Sequence, residues 1–311
     1  MKKQLLFLTA FFVFLISINA YAATDFYSYA DYDIKSRRIT VSGNKDNSAG
    51  EQVSIMIYPH SADLAGIEEL GSAADKDIFF ELARFDENNS FHCEISLSEN
   101  VEAQCFDVAA FDGSEKNIMT VFFADYKTAD NISKEIKGKN AQQIKEILLN
   151  NKTLLGTECD DFEKYIDKIS ETVFKKCSFG GCDAAELYKE IAAGIALGKT
   201  AEDSAALETV LKRYHAYLNV SYNGKYGIYS DDIKNETARL LTNGDYSGKS
   251  FESFYNDCLL LARINKAENE ISAKNIMLAE MSELDLSYYG KLNNSYNENS
   301  VFKELCQKGP Y

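Results

Sequence analysis

Ile118-Met119-Thr120-Val121-Phe122-Phe123-Ala124, followed at once by Asp125-Tyr126-Lys127, is the stretch on which the reading of the fold turns. Up to about Tyr126 the apolar residues recur with a period of two, which sends successive side chains to opposite faces of a strand. After Lys127 the period becomes 3.6, which lays them along one stripe of a helix. Upstream of the switch, strands are expected at Phe26 to Tyr32, Arg38 to Ser42, Gln52 to Tyr58, Ile78 to Phe85, Ser90 to Leu97 and Gln104 to Phe111, with Ile118 to Ala124 as the seventh. Asp86-Glu87-Asn88-Asn89 reads as the turn of a hairpin between the fourth and fifth, because Asn tolerates the positive φ of a tight turn. Pro59 to Lys76 reads as a loop or short helix crossing between sheets. Seven short strands over 24–127 fit an immunoglobulin- or fibronectin-like β-sandwich.

Downstream, Phe162, Ile166, Ile169 and Val173 share one helical face, as do Leu207, Leu211, Tyr214 and Leu218. Asp183 with Glu186 and Thr200 with Asp203 have the spacing of helix starts, and Gly156, Gly244 and Gly290 sit at expected helix ends. The region also repeats itself. Leu218-Asn219-Val220-Ser221-Tyr222-Asn223-Gly224-Lys225-Tyr226 returns 66 residues later as Leu284-Asp285-Leu286-Ser287-Tyr288-Tyr289-Gly290-Lys291-Leu292. Ile144, Leu148 and Leu155 precede Leu207, Leu211 and Leu218 by 63 residues, and Leu187, Ile191 and Ile195 precede Phe254, Cys258 and Ala262 by 67. The expectation is an all-α repeat domain over 130–311, with units at about 141–203, 204–269 and 270–311, the last incomplete. Either that last unit is a shortened cap or the natural product continues past Tyr311.

The ends and the charge bound the function. Lys2 and Lys3 precede a 14-residue apolar run from Leu5 to Ile18 and the small-x-small triplet Ala20-Tyr21-Ala22, so 1–22 reads as a signal peptide cleaved after Ala22. Fourteen residues fall short of a stable crossing of a ~30 Å hydrocarbon layer. The mature chain is therefore expected to be secreted or at the cell surface, with no transmembrane segment. The formal charge of -15 comes from 48 acids against 33 Lys and Arg and becomes -17 once the two lysines of the leader are gone. Such a surface repels phosphate backbones, which excludes nucleic acid as a partner.

The residues Tyr32-Asp33, Ile39-Thr40-Val41-Ser42-Gly43, Ala49-Gly50-Glu51-Gln52-Val53-Ser54-Ile55 and Phe85-Asp86-Glu87-Asn88-Asn89-Ser90-Phe91 form a recognisable set. This pattern resembles the β-sandwich modules of secreted cell-surface proteins of clostridia and related Firmicutes. The helical units, with Leu154-Leu155-Gly156 in the first, are similar to the helical repeats that follow such modules. Those chains often carry S-layer homology domains, of which this sequence shows none, so the resemblance does not extend to wall anchoring. It implies a non-catalytic role and lends no catalytic residues.

The chemistry-bearing residues point the same way. Seven cysteines leave at least one thiol free or paired between chains. Cys177 and Cys182, around Ser-Phe-Gly-Gly, are close enough for a loop disulfide or stand as two free thiols. Cys93 and Cys105 face opposite ways, because Phe91, Cys93, Ile95 and Leu97 share one face while Phe106, Val108 and Ala110 are the inward set of the next strand. Cys258 occupies an apolar helical position. His60, His92 and His215 stand apart with no metal-ligand spacing, so no metal and no cofactor are expected. Asp160-Asp161 and Asp231-Asp232 have the chemistry of a glycosidase pair but lie where helices begin, where negative charge is favoured. Asp86, Asn88 and Ser90 echo a calcium loop, yet Phe91 replaces its glycine and Leu97 its glutamate. Tyr222, Tyr226, Tyr288 and Tyr289 could stack on sugar rings or an interface, or wedge between helices of adjoining units.

The sequence thus predicts a non-catalytic scaffold or binding protein, its partner an unknown protein or a cell-wall glycan. The alternative is a carbohydrate-binding module or an enzyme acting on cell-wall polysaccharide.

Overall fold

The computed structural model describes residues 26–62, 78–98, 100–220, 229–246 and 249–279. The 1–22 segment read as a signal peptide, Tyr222, Tyr226, Tyr288, Tyr289, Gly290 and Cys306 lie outside them, as does most of the 218–226 motif and all of its later copy. Strands run at β1 (Tyr27–Asp33), β2 (Arg38–Asn44), β3 (Gln52–Pro59), β4 (Phe79–Arg84), β5 (Ser90–Ser96), β6 (Gln104–Phe111) and β7 (Lys116–Phe123). Helices follow at α1 (Tyr126–Ile136), α2 (Ala141–Asn150), α3 (Asp160–Lys164), α4 (Ile166–Gly180) and α5 (Ala184–Glu202). Beyond a 3-10 turn at Ser204–Ala206 come α6 (Leu207–Arg213), α7 (His215–Leu218), α8 (Asp231–Asn243), α9 (Phe251–Asn265) and α10 (Glu270–Ala279).

The strands form two antiparallel sheets, in the orders β1-β2-β5 and β4-β3-β6-β7. Ala30, Ile39, Val41 and Phe91 from one meet Val53, Ile55, Ile57, Phe106, Val108, Val121 and Phe123 from the other. Two expectations are corrected here. β4 and β5 are not a hairpin: they pair with β3 and β2 respectively, so the Asp86–Asn89 turn carries the chain from one sheet to the other. That turn is local chemistry, with Asn89 at φ 61 and the Asp86 carboxylate accepting from the Asn88 and Ser90 backbone N–H groups. A turn fixes a reversal of direction and leaves the hydrogen-bonding partner to tertiary packing. Conversely, β3 and β4 are neighbours in one sheet, so the connection after Pro59, whose residues 63–77 lie outside the described ones, begins and ends in the same sheet.

The fold class is corrected as well. A sandwich followed by a separate helical repeat domain would have the outer faces of its sheets in water. Instead Ile34, Cys105, Phe122 and Ala124 from the strand region lie in the same hydrophobic cluster as Leu148, Phe162, Tyr188, Leu211 and Tyr217 from the helices. The molecule is a mixed fold among the described residues, with two antiparallel sheets whose facing sides enclose one hydrophobic cluster and ten helices, of which α1 to α9 share a second with the outer face of β6 and β7. The reason lies in β6 and β7. Their alternate residues Cys105, Asp107, Thr120 and Phe122 point away from the sandwich interior, and each is buried because α6 and α7 pack on that face. Nor do the helical units have equivalent surroundings, as stacked repeats would. α2 packs on α4, whereas its counterpart pair α6 and α7 packs on β7, with α7 also against β1. The positions matched at a spacing of 67 are nonetheless buried in both α5 and α9.

α5 is the hub of the helical layer, touching α1, α4, α7 and α8. Asp183 caps its start by accepting from the Glu186 N–H at 2.9 Å. Its end differs from expectation: Thr200 lies inside α5, and Asp203 caps the 3-10 turn beyond it. Both predicted apolar faces are buried, but each is broken at a tyrosine: Tyr165 separates α3 from α4 and Tyr214 separates α6 from α7. No helix among the described residues is long and apolar enough to cross a membrane.

The sheet edge shows how the layers are tied. β7 is an edge strand, and its unpaired groups must be satisfied where helices cover them. Tyr217 does this: its ring stacks on Phe122 at 5.2 Å and 16°, and its hydroxyl accepts from the Phe122 N–H at 2.6 Å. Tyr217→Phe keeps the ring and strands that N–H in a buried seam. It is expected to lower stability by about 1–2 kcal/mol, read as a fall in urea midpoint at unchanged slope.

Candidate functional site: a buried polar seam

Asp107 on β6 and Thr120 on β7 are register partners, and both point toward the helices. Around them the fold gathers residues far apart in sequence. His60, just past β3, places Nδ1 3.0 Å from one Asp107 carboxylate oxygen. Arg213, the last residue of α6, donates from Nη2 to the other oxygen at 3.2 Å and from Nε to the Thr120 hydroxyl at 2.8 Å. The Thr120 hydroxyl donates in turn to Asp107 at 3.2 Å. Alongside, Asp161 of α3 accepts from Lys199 of α5 at 2.7 and 2.9 Å and from the Tyr214 hydroxyl at 2.9 Å. Cys105 and Cys159, both buried free thiols, lie in the hydrophobic cluster that the strands share with the helices.

Electrostatics favours the charged form of His60, Arg213 and Asp161. The hydrogen bond to Asp107 lifts the His60 pKa above its ordinary value against the opposing effect of burial. Burial works against charge on Arg213 and Asp161 too. Asp107 outweighs it for the guanidinium, whose pKa is raised, and hydrogen bonds from Lys199 and Tyr214 outweigh it for Asp161, whose pKa is lowered. Interaction between Cys105 and Cys159 raises the Cys105 pKa and lowers that of Cys159.

Chemically this seam is a charge-neutralising lock. Cys159, His60 and Asp107 are residue types found in thiol hydrolases, but Cys159 is only 8% exposed and the His60 Nδ1 is directed at Asp107 and Arg213. Asp107 is the signal the sequence offered and the periodicity reading missed: an acid in the middle of the apolar run Gln104 to Phe111. His215, read as isolated, packs its ring 4.8 Å from Tyr29 and lies 3.8 Å from Asp31. His92 is exposed, 3.1 Å from the Ser42 hydroxyl. Asp160 and Asp161 do open α3, and Asp231 and Asp232 open α8. Cys177 and Cys182 are joined as a disulfide, with Cα atoms 4.9 Å apart, around the turn that ends α4. Cys258 is buried, and Cys93 packs against the sandwich interior. No group of residues able to hold a metal ion occurs among the described residues.

A second buried acid lies apart from the seam. Glu190 of α5 is 1% exposed; one carboxylate oxygen accepts from the Tyr246 hydroxyl at 3.0 Å, and the other has no hydrogen-bond partner among the described residues. Burial raises its pKa to about 7, only partly offset by the Tyr246 bond. The native state therefore holds a proton that the unfolded chain has lost between the ordinary carboxylate value and pH 7, so stability falls as pH rises through that window and levels off above it. Glu190→Gln, which mimics the protonated acid, is expected to flatten that slope and to gain about 2 kcal/mol at pH 8, measured by urea unfolding across pH 4.5–8.

No protein-family model matches the sequence, and no curated protein matches it. Among solved structures the chain is similar to a family 76 glycoside hydrolase from a bovine Bacteroides thetaiotaomicron strain, at 10% identity and a TM-score of 0.25, over 91% of this chain and 77% of that one. At that TM-score the likeness fixes neither a fold nor an activity.

Proposed function

We propose that the chain is an exported, non-catalytic scaffold or binding protein of the cell surface. The observation that carries this reading is the closure of the seam. Asp107 and Arg213 are engaged with each other between sheet and helix, and Asp161, Lys199 and Tyr214 with one another among the helices, rather than lining a cleft with free acids or bases. The basic start, apolar run and Ala20-Tyr21-Ala22 triplet support export, and the resemblance to clostridial surface proteins agrees with it. The acidic chain suits a protein or neutral glycan partner better than an anionic polymer.

The test has two readouts. Export of the full chain from a bacterial host, followed by N-terminal sequencing, should give a start at Ala23; a retained leader overturns the export reading. Incubation of the exported protein with a panel of purified cell-wall glycans should release no reducing ends. Release that scales with protein concentration would replace the scaffold with the rival enzyme, whereas retention without release identifies glycan as the bound partner.

A further inference from the structure

We propose that Glu190 and Tyr246 form a pH-sensitive latch, which holds the chain beyond α8 against α5 while the carboxyl is protonated and lets it go when the carboxyl ionises. Glu190 lies within α5, and Tyr246 lies three residues past the end of α8; at 1% and 3% exposure both are enclosed. The Tyr246 hydroxyl has one proton to donate and gives it to one carboxyl oxygen at 3.0 Å. The other oxygen has no hydrogen-bond partner among the described residues. A neutral acid can stay in such a place at modest cost, whereas a carboxylate with half its charge unanswered costs far more.

The neighbouring charges supply no substitute. Glu186 and Lys189 of α5 act on Glu190 in opposite senses, and Lys176 of α4, which favours ionisation, has its Nζ over the Tyr246 ring at 5.7 Å. Asp245 is paired with Lys175 at 3.4 Å. None of them donates to the free oxygen. Of the two partners, Tyr246 is the one that can yield. α5 is packed against α1, α4, α7 and α8, whereas Tyr246 is outside any helix and is held by ring contacts with Phe251 at 6.2 Å and Phe254 at 5.6 Å. With the ring swung aside, water reaches both oxygens, and the acid loses one proton to solvent near its ordinary pKa. In the closed form burial holds that pKa at about 7. The open form therefore gains on the closed one as pH rises between the two values, and the ratio levels off above pH 7.

The latch requires neither export nor a bound partner, so its test stands apart from the scaffold reading. Amide hydrogen exchange of the full chain is measured from pH 5 to pH 8 and corrected for the intrinsic pH dependence of exchange. The reporters are the Gly244 N–H, bonded to the Leu240 carbonyl, and the Phe254 N–H, bonded to that of Ser250. Their opening is expected to become about 50-fold more frequent from pH 5 to pH 8. It should also be insensitive to urea below the unfolding transition, as local opening is. Glu190→Gln, which cannot ionise, should abolish the rise. Tyr246→Phe removes a bond that favours the ionised acid, so it should move the levelling-off to higher pH. A flat response in the parent chain, an equal rise in Glu190→Gln, or an unmoved levelling-off in Tyr246→Phe would overturn the proposal. So would exchange at both reporters that follows urea as steeply as the amides of β6, since the segment would then open only when the whole molecule unfolds.

Discussion

Arg213→Ala is expected to lower the unfolding free energy by about 3 kcal/mol, the lower end of the cost of breaking a buried ion pair. The guanidinium is a quarter exposed, so its removal frees some water access, but Asp107 is almost fully enclosed on the central strand β6 and loses its main counter-charge. Thr120 loses its Nε donor at the same time, while His60 and the Thr120 hydroxyl remain against the carboxylate. Most of the expected loss comes from a stranded charge rather than from the favourable worth of the pair. That distinction is measurable. Arg213→Met combined with Asp107→Val, which removes both charges and keeps apolar volume, should recover at least half of the loss in urea unfolding. A single variant within 1 kcal/mol of the parent would show that the seam does not hold the layers together.

The same seam shows where the sequence was legible and where it stopped. The seven strand segments could be read to within a residue or two because alternation is a local signal, and the apolar stripes through Phe162 and Leu207 could be read for the same reason. Alternation also placed Cys105 on the face away from Phe106, Val108 and Ala110, correctly, but it cannot say what covers that face. A strand residue that points away from one core reads as solvent-facing, and here that reading hid Cys105, Asp107, Thr120 and Phe122, the residues that make the fold one body rather than two. His60 and Arg213 carried no signal at all, since they are 47 and 106 residues from the Asp107 they meet. Strand partners failed similarly: Asp86 to Asn89 announced a turn, while the choice of β2 for β5 and β3 for β4 is made by which faces must be buried together.

Gly156→Ala is expected to cost as much as the loss of Arg213 or more, about 3–5 kcal/mol, from one added methyl group. Two effects add. Gly156, expected at a helix end, lies in the turn beyond α2, which stops at Asn150; its φ of +61 is left-handed, and an alanine there carries about 1–2 kcal/mol of backbone strain. The larger effect is tertiary. A Cβ at this position would lie 2.2 Å from the Phe123 carbonyl oxygen and 2.9 Å from both the N and O atoms of Gln104. Gln104 and Phe123 are register partners at the end of the β6–β7 ladder, so the obstacle is backbone on both sides and cannot swing aside as a side chain would. Overpacking against a yielding core costs about 1–3 kcal/mol, and here the upper end applies because relief requires the 151–157 turn to lift off the sheet. That movement would also draw away Leu155, whose backbone carbonyl accepts from the buried Tyr188 hydroxyl at 2.7 Å. The strain alone can be separated from the contact. Gly138 also has a positive φ, +78, but an added Cβ there meets nothing within 4 Å, so Gly138→Ala should lose only about 1–2 kcal/mol. Equal losses at the two glycines would mean that left-handed strain accounts for both and that the close approach to β6 and β7 contributes nothing. A loss at Gly156 at least twice that at Gly138 would place the difference in the contact between the 151–157 turn and the sheet, the junction that makes one body of the two halves of this chain.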